Sequence, residues 1–377
     1  MSGALIGRPV AIAAGGTGGH MFPALALAAE LRARGQRAVI LCDARGARYL
    51  GEGVEHRLIQ AASPSGDLGR RLSGLARLTI GFGQSLAALY RLKPSAIAAF
   101  GGYASVPVGL AARCLRLPVL LHEQNAVLGR ANRLLLSRAT RLALTFARTK
   151  GADAVPEAKR LLTGNPVRAE VLARREGTYQ TPRPGEPLRV LVIGGSQGAR
   201  VFSDAVPAAI ALLTEAERSR IRLTQQCRPE DLERVASTYA ALGFEAELKS
   251  FFDELPERLV ATHLVVSRAG ASSVAEVLAI GRPALLVPFR AAADDHQSAN
   301  AQVVVAEGAG WLIGEAELSG EALAERLRAV LQEPGQLAAM AARARALGRP
   351  DAAQLLADAV QALISPSGAR LELEALA

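Results

Sequence analysis

The chain repeats one arrangement of residues, and this repeat constrains its fold more than any other feature. The apolar run 9–14 leads into Gly-Gly-Thr-Gly-Gly-His at 15–20, and the apolar run 188–193 leads into Gly-Gly-Ser-Gln-Gly-Ala at 194–199. Each predicts a buried strand, a glycine-rich turn and a helix, which together aim backbone N–H groups and the positive end of a helix dipole at one point. Two such anion-binding turns predict two nucleotide-binding-type domains.

Neither glycine-rich turn matches the two best-known nucleotide motifs. A dinucleotide-binding turn has the pattern G-x-G-x-x-G, whereas the first turn continues from Gly19 into His20 and Met21 and lacks the third glycine. A P-loop contains Gly-Lys, and no Gly-Lys pair occurs in the chain. The turns therefore predict phosphate binding without nucleotide hydrolysis at a P-loop.

Length and composition favour two folded domains. The chain has 377 residues, of which 50% are hydrophobic and 21% charged, so it can form two cores and is too charged to be embedded in a membrane. The charge-free stretch 94–112 approaches the length of a membrane span, but glycines and Pro107 interrupt it, which favours a strand, a turn and a helix. Three cysteines without a Cys-x-x-Cys pair predict core thiols in a reducing cytoplasm: Cys42, Cys114 and Cys227.

The net charge of +9 predicts an anionic partner. Arginines alternate with large apolar residues over 68–93, which is typical of a basic amphipathic helix on an anionic membrane surface. The expected docking face contains Arg70, Arg71, Arg77, Leu72, Leu75, Leu78, Ile80 and Phe82. A core helix with solvated arginines explains the same pattern. Nucleic acid is not expected as a partner, because aromatic residues make up only 4% and no base-stacking platform is present.

Apolar runs and helical stretches alternate along both halves, which predicts α/β domains with parallel sheets. Residues 1–165 are expected to form the first domain, joined by a helix near 349–364, and 166–348 the second. The proline-rich stretch 174–187 predicts a surface linker, and 365–377 a loose tail. Strands are expected near residues 10, 39, 55–59, 96–100, 119–122, 141–144, 190, 222–225, 245–248, 264–267, 284–288 and 310–313.

Polar motifs follow several of these strands at the sheet edge where ligands collect in open α/β folds, and we expect them to line a cleft rather than the core. In chain order they are GGTGGH at 15–20, GGY at 101–103, HEQN at 122–125, GNPVR at 164–168, GGSQGA at 194–199, SRAGA at 267–271 with Glu276, and DHQSAN at 295–300. Together these motifs resemble the MurG family of bacterial peptidoglycan glycosyltransferases over nearly the whole chain.

The resemblance implies a GT-B fold, in which two Rossmann-like domains with parallel sheets face a central cleft. It implies transfer of N-acetylglucosamine (GlcNAc) from UDP-GlcNAc to the C4 hydroxyl of N-acetylmuramic acid (MurNAc) in undecaprenyl-pyrophosphoryl-MurNAc-pentapeptide, known as lipid I. The transfer inverts the sugar and gives lipid II for the cell wall. The resemblance also implies a peripheral protein on the cytoplasmic face of the bacterial plasma membrane, with other cell-wall synthesis enzymes as candidate partners.

When the roles of family residues are transferred to the matching positions of this chain, the resemblance implies that most of the donor site lies in the second half. Ser196 would hold the α-phosphate, Glu276 would bind the ribose hydroxyls, and Phe252 would lie beside the uracil. Gln297 would bind sugar hydroxyls, and Arg168 would add positive charge near UDP. The other substrate-binding positions are Thr17, Gly18, Gly19 and Asn125 around GlcNAc, Tyr103 on the acceptor side, and Ala271, Ser272, Ser273, Val274 and Ala275 near the nucleotide.

The implied reaction needs a base for the acceptor hydroxyl and a group that stabilises the departing UDP. Histidine has an intrinsic pKa suited to a base, so His20 is one candidate and Glu123 the alternative. His20 could instead bind the acceptor pyrophosphate. A helix dipole with Ser196 and Arg168 would stabilise UDP. No Asp-x-Asp occurs and the five histidines lack a paired ligand spacing, so no metal or other cofactor is expected.

Three segments depart from the family pattern: 63–66, 126–130 and 224–228. The last replaces an expected His-Gln-Thr-Gly turn, so Gln226 is not nominated as a site residue. Two other functions share part of the pattern. Another GT-B glycolipid synthase that uses a UDP-sugar would not need the HEQN or GNPVR motifs, and a sugar-nucleotide epimerase would bind UDP-GlcNAc without a lipid acceptor.

Overall fold

Strands and helices alternate from one end of the chain to the other, as the apolar runs predict. The computed structural model describes residues 7–62, 67–183, 185–195 and 198–365. Three parts of the chain that the sequence analysis singled out lie outside the described residues. They are Ser196, the expected phosphate contact; segment 63–66, which departs from the family pattern; and the expected tail after residue 365. The chain divides into unit 1, which runs to Arg168 and resumes at Pro350, and unit 2, which runs from Ala169 to Arg349.

The strands are β1 Val10–Ala13, β2 Ala38–Cys42, β3 His56–Leu58, β4 Ala96–Ala99, β5 Val119–Glu123, β6 Arg141–Leu144, β7 Arg160–Leu162, β8 Leu188–Ile193, β9 Ile221–Gln226, β10 Ala246–Lys249, β11 Leu264–Ser267, β12 Ala284–Leu286 and β13 Gly310–Leu312. The helices are α1 Gly18–Ala33, α2 Leu68–Leu92, α3 Ser105–Cys114, α4 Arg130–Leu135, α5 Ala169–Leu172, α6 Arg200–Leu212, α7 Glu215–Ser219, α8 Leu232–Ala241, α9 Leu255–Ala261, α10 Ala271–Ile280, α11 His296–Ala306, α12 Gly320–Gln332, α13 Gln336–Leu347 and α14 Ala352–Ile364. Short 3₁₀ turns lie between some of them.

Each unit contains one parallel sheet, which confirms the predicted fold class. Among the described residues the order is β3-β2-β1-β4-β5-β6-β7 in unit 1 and β10-β9-β8-β11-β12-β13 in unit 2. The chain order reverses beside β1 and beside β8, and open α/β sheets bind ligands at the carboxyl ends of strands at such a reversal. The two glycine-rich turns follow β1 and β8, so each lies at the favoured ligand position of its sheet.

Apolar side chains cover both faces of the sheet in unit 1. On one face, Leu27 and Leu31 of α1 pack with Ile12 of β1 and with Leu356 and Val360 of α14. Helices α2 and α3 cover the other face. Helix α14, near the carboxyl end of the chain, therefore covers one face of a sheet whose strands all come from the amino-terminal half.

The segment 174–187, predicted as a surface linker, is mostly exposed and forms no helix or strand in its described residues, and hydrogen bonds tie it to other parts of unit 2. The guanidinium of Arg345 donates to the carbonyl of Arg175 at 2.7 Å. The hydroxyl of Tyr179 donates to the carbonyl of His263 at 3.1 Å. Composition predicted the surface position of this segment but not these bonds, because the bonded residues are far apart in sequence.

Helix α2 presents apolar side chains to solvent, although its exposed members differ in part from those expected. The exposed large apolar residues, here called the α2 stripe, are Leu72, Leu75, Ile80 and Tyr90. Leu78 is half-buried, and Phe82 packs against the core of unit 1. The inclusion of Phe82 in the docking face was therefore wrong. Arg70, Arg71 and Arg77 are exposed as expected.

The charge-free stretch 94–112 forms β4, the turn after it and most of α3, as the sequence predicts. Its residues are mostly buried in the core of unit 1. Within the described part of the chain, no helix combines the length and the apolar character needed to cross a bilayer.

Two of the three cysteines are core thiols. Cys42 and Cys227 are buried, and burial raises the pKa of the Cys42 thiol to about 11, so it stays protonated. Cys114, at the end of α3, is exposed, so the prediction that it is a core residue was wrong. An apolar sequence neighbourhood does not show which side of a terminal helical turn faces solvent.

Replacement of Gly81 in α2 by alanine is expected to destabilise unit 1. A Cβ atom at Gly81 would overlap the carbonyl oxygen of Gln60, and overpacking of this kind costs about 1–3 kcal/mol. The Cβ position of Gly83 in the same helix is open, so Gly83→Ala should stabilise by about 0.5–1 kcal/mol through helix propensity. Urea denaturation checks both variants. Equal unfolding midpoints would contradict the close contact of α2 with the segment after β3.

Candidate functional site

A buried carboxylate holds the glycine-rich turn of unit 1. Asp43, just after β2, accepts hydrogen bonds through Oδ1 from the N–H groups of Gly16 and Gly46, at 2.9 Å each. A Cβ atom at Gly15 would lie 2.8 Å from the same oxygen, and Gly16 has a φ of +84°. Only glycine fits both positions, so the approach of Asp43 explains the paired glycines.

Helix α1 begins directly after this turn. Thr17 is its exposed N-cap and makes no side-chain bond to the first turn. Gly18 is buried against the ring of Phe22, and Gly19 is half-buried. The guanidinium of Arg168 lies 5.4 Å from the centre of the Phe22 ring, which brings Arg168 to the first turns of α1. The positive end of the α1 dipole and Arg168 therefore both favour an anion on this side of unit 1.

The HEQN motif ends β5, and its first three side chains are buried, contrary to the expectation that they line a cleft. His122, Glu123 and Gln124 are only 1–2% exposed. Their polar atoms bond to the protein itself, which is what makes such burial tolerable. Asn125 is half-buried.

Glu123 holds the loop that follows β5. Its Oε1 accepts from the backbone N–H and the side-chain amide of Asn125, at 3.1 Å each. Its Oε2 accepts from Gly129 N and from Asn132 Nδ2, at 2.8 Å each. Both carboxylate oxygens are therefore engaged by N–H groups, and the position of Asn125 depends on them.

His20 lies against the GGY turn and contacts the HEQN motif. A Cβ atom at Gly102 would lie 3.2 Å from the His20 ring, so glycine is needed there to admit the imidazole. His20 Nδ1 is 3.2 Å from Gln124 Oε1. Tyr103 follows the turn and is half-buried. The structure thus brings His20, the GGY turn and HEQN together.

The glycine-rich turn of unit 2 is built in the same way but with a neutral side chain. Gln226, at the end of β9, accepts from Gly194 N at 3.0 Å and donates to Ser250 O at 3.1 Å. Gly194 has no room for a Cβ atom, and Gly195 and Gly198 have φ values of +85° and +67°. Sequence reasoning passed over Gln226 because its segment departs from the family pattern.

The start of α10 and Gln297 lie side by side in unit 2. Gln297 Oε1 accepts from Ala269 N at 3.2 Å and from Phe289 N at 3.0 Å. Asn300 Nδ2 donates to Ala269 O at 3.0 Å. Gly270 caps α10 without a side-chain bond, so the first N–H groups of the helix point toward this region. The predicted residues here are Ala271 and Val274, which are buried, Ser272, Ser273 and Ala275, which are half-buried, and Glu276, which is 7% exposed.

Phe252 lies after β10, near the carbonyl bonded by Gln226. It is buried, with the guanidinium of Arg258 4.5 Å and the ammonium of Lys249 5.9 Å from its ring centre. Its ring therefore packs against cations of its own unit.

Comparison with known protein families matches both units. The glycosyltransferase family 28 N-terminal domain matches residues 10–144, and the family 28 C-terminal domain matches residues 189–356. The chain belongs to glycosyltransferase family 28. The predicted resemblance to the MurG family is confirmed by relatives that cover most of the chain.

Three known proteins, two of them relatives and one sharing only the fold, match over nearly their whole length. A Rhodospirillum rubrum protein named UDP-N-acetylglucosamine–N-acetylmuramyl-(pentapeptide) pyrophosphoryl-undecaprenol N-acetylglucosamine transferase is 51% identical, covering 94% of this chain and 91% of its own. The crystal structure of Acinetobacter baumannii MurG is 30% identical with a TM-score of 0.78, covering 94% and 99% of the two chains. The UDP-GlcNAc 2-epimerase of Neisseria meningitidis has a TM-score of 0.66 at 13% identity, over 93% and 98% of the chains, which shows a shared fold alone.

In this family 28 chain the SRAGA motif contributes a part-buried ion pair that sequence reasoning missed. Arg268, 9% exposed, donates to Glu315 Oε1 at 2.6 Å, and Glu315 Oε2 accepts from Arg290 N at 2.6 Å. Burial raises the pKa of Glu315, but the bonds from Arg268 and Arg290 outweigh it and lower that pKa. The pair fixes the loop after β12, whose Phe289 N–H is bonded to Gln297. The motif identified Arg268, whereas no local pattern identified Glu315.

Glu123→Gln is expected to lower the free energy of unfolding by about 1–3 kcal/mol, because an NH₂ group would replace an oxygen that accepts two N–H groups. Glu157→Gln, at an exposed position of the same unit, is the control and should change little. Urea denaturation measures both. A Glu123→Gln protein with the wild-type midpoint would show that Glu123 does not hold the loop.

Proposed function

We propose that the chain transfers GlcNAc from UDP-GlcNAc to the C4 hydroxyl of MurNAc in lipid I, with inversion, and so makes lipid II for peptidoglycan. The 51% identity with the Rhodospirillum rubrum transferase, over 94% of the chain, carries this proposal. The identity extends through both units, so it covers the motifs expected to bind the donor and those expected to bind the acceptor. The enzyme is thus a UDP-GlcNAc-dependent glycosyltransferase.

We assign the nucleotide to unit 2. The N–H groups at the start of α10, over 271–275, offer a positive helix end to the donor. The carboxylate of Glu276 can accept from both ribose hydroxyls. Gln297 Oε1 is occupied by two backbone N–H groups, so its Nε2 amide is the group we assign to a sugar hydroxyl. Phe252, with Arg258 on its ring, is assigned to the wall beside the uracil.

The groups that hold the two glycine-rich turns support placing the diphosphate at unit 2. Asp43, which holds the first turn, is a carboxylate that pairs with Arg45 at 3.3 Å, whereas Gln226 holds the second turn with a neutral amide. A fixed negative charge beside a turn opposes a bound phosphate. We therefore assign the α-phosphate to Ser196 and the start of α6, and Arg168 to the charge that develops on UDP.

We propose His20 as the base. The acceptor oxygen O4 attacks C1 of GlcNAc while the bond from C1 to the UDP oxygen breaks, and the hydroxyl proton passes to His20 Nε2. Both oxygens of Glu123 already accept N–H groups, so we assign Glu123 to holding Asn125 rather than to proton transfer. Asn125 and the start of α1, over 17–19, are assigned to GlcNAc. Tyr103 is assigned to the acceptor.

We propose that the α2 stripe rests on the cytoplasmic face of the bacterial plasma membrane. Its four apolar side chains are 50–69% exposed on one helix. The exposed Arg70, Arg71 and Arg77 belong to the same helix and would contact anionic headgroups. A lipid-linked acceptor would then be reached at the membrane surface.

Incubation with radiolabelled UDP-GlcNAc and a short-chain lipid I analogue tests the function. We expect a lipid-linked disaccharide in equal yield with and without EDTA, because the proposed steps use no metal ion. An epimerised sugar nucleotide without transfer would favour the epimerase. Transfer only to a different lipid would favour another glycolipid synthase.

Glu276→Ala is expected to weaken UDP binding about 10- to 100-fold, because the loss of a charged hydrogen-bonding partner costs about 1.5–3 kcal/mol. Titration calorimetry with UDP measures the effect. Glu307→Ala, an exposed change in the same unit, is the control. Unchanged UDP affinity in a folded Glu276→Ala protein would refute the ribose assignment.

Reversal of Arg70, Arg71 and Arg77 to glutamate is expected to weaken binding to anionic vesicles by about a hundredfold or more, since each arginine contributes about 1 kcal/mol near such a surface. Activity on a soluble acceptor analogue should persist. The control reverses three exposed arginines of unit 2: Arg183, Arg222 and Arg349. Vesicle sedimentation measures binding. Equal losses in both triple variants would mean that net charge, not the α2 surface, determines membrane binding.

A further inference from the structure

A buried chain of hydrogen bonds connects His20 to the backbone behind the HEQN motif. His20 Nδ1 lies 3.2 Å from Gln124 Oε1. Gln124 Nε2 lies 3.0 Å from Phe100 O and 3.0 Å from His122 Nδ1. His122 Nε2 lies 2.9 Å from Gly164 O. Gln124 and His122 are each 1% exposed, so solvent does not compete for the bonds that join them to each other, to Phe100 and to Gly164, while His20 is half-buried at the end of the chain of bonds.

The donor and the acceptor in each of these hydrogen bonds follow from the bond to Gly164. The carbonyl of Gly164 can only accept, so His122 Nε2 carries a proton and donates. Burial, with a smaller contribution from the nearby His20, lowers the pKa of His122 to about 4 against the opposing effect of the bond to Gly164. Above that pH His122 is therefore neutral with one ring proton, and its Nδ1 must accept.

The amide of Gln124 can then adopt only one orientation. Its neighbours His122 Nδ1 and Phe100 O both accept, and His122 O is a third acceptor at 3.3 Å. The NH₂ group must face them, which turns Oε1 toward His20. Because a carbonyl oxygen cannot donate, His20 Nδ1 carries the proton in this contact.

We propose that Gln124 is a positioning residue that fixes His20 in the Nδ1–H tautomer, so that the lone pair of the neutral ring is on Nε2. The hydrogen-bond partner of one ring nitrogen determines whether the other nitrogen carries a proton, and for His20 that partner is Gln124. The inference rests on the proposed function for the identity of the proton that His20 accepts. The tautomer itself does not depend on that function.

The same contact also accommodates the protonated ring. When Nε2 takes the acceptor proton, Nδ1–H still donates to Gln124 Oε1, now as a charge-assisted bond. The amide oxygen cannot take the Nδ1 proton, so the new proton stays on Nε2. The titratable side chains on the described elements that contact His20 include His122 and Glu123 of β5 and Tyr103 of the GGY turn. Above pH 5 His122 is neutral, and Glu123 is bonded within its own loop.

Nitrogen NMR of the histidine rings tests the tautomer without substrate. At a pH where His20 is neutral, the wild-type protein should show the proton of His20 on Nδ1, and comparison with His20→Ala assigns the signal among five histidines. Gln124→Leu removes the acceptor at similar size and should move the proton to Nε2, the tautomer that predominates in free histidine. A wild-type His20 with its proton on Nε2 would overturn the proposal.

Steady-state kinetics tests the consequence for turnover. Gln124→Leu should lower kcat about 10- to 100-fold, because His20 would remain in place but would lose part of the rate enhancement that a general base provides. The donor KM should stay near the wild-type value. Gln124→Glu is the conservative variant: as a buried neutral acid it can donate to Phe100 O and accept from His20, so it should restore the Nδ1–H tautomer and much of the rate. Wild-type kcat in folded Gln124→Leu would refute the positioning role.

The outcomes separate this inference from the proposed function. Wild-type protein that makes no lipid-linked disaccharide contradicts the function whatever the tautomer. Activity that His20→Ala removes and Gln124→Leu leaves intact supports the function and contradicts the role of Gln124. If Gln124→Leu does not fold, the wild-type spectrum and the Gln124→Glu variant still decide the question.

Discussion

The backbone N–H of a glycine in the turn after β1 or β8 needs an acceptor, and in each unit a side chain at or just after the end of the neighbouring strand supplies it. In unit 1 the acceptor is Asp43 after β2, and in unit 2 it is Gln226 at the end of β9. Buried backbone groups must be paired, so these two bonds fix the turns and with them the starts of α1 and α6. Both units thus hold the turn with a side-chain acceptor, and the charge of that acceptor differs between them, which is why we assign the donor diphosphate to unit 2.

Alternate residues at the end of β5 have two different bonding roles. Successive side chains of a strand point to opposite faces, so His122 and Gln124 share one face and Glu123 has the other. The first face bonds to His20 and the second holds the loop that carries Asn125. A four-residue motif therefore sets both the orientation of an imidazole and the position of a neighbouring amide, and a one-residue shift of register would exchange them.

The sequence predicts most of the fold because parallel strands buried on both faces appear as continuous apolar runs. It missed β7, whose Arg160 and Leu161 are half-buried and whose Leu162 is exposed at the edge of the sheet. The motifs located the site residues, but they did not separate the roles of Glu123 and His20, which depend on bonding partners elsewhere in unit 1. The sequence did not identify Glu315 for the same reason, because its bonding partner Arg268 lies 47 positions away in the sequence.

Helix α14 gives the two units different folding histories. Unit 2 is a continuous segment from Ala169 to Arg349, whereas the sheet of unit 1 lacks the cover of Leu356 and Val360 until the end of the chain has been synthesised. Domains generally fold as units during synthesis, the amino-terminal one first. In this chain unit 2 can close on itself before α14 covers the apolar face formed by β1 and α1 in unit 1. We therefore expect unit 1 to be the more prone of the two to aggregate during synthesis.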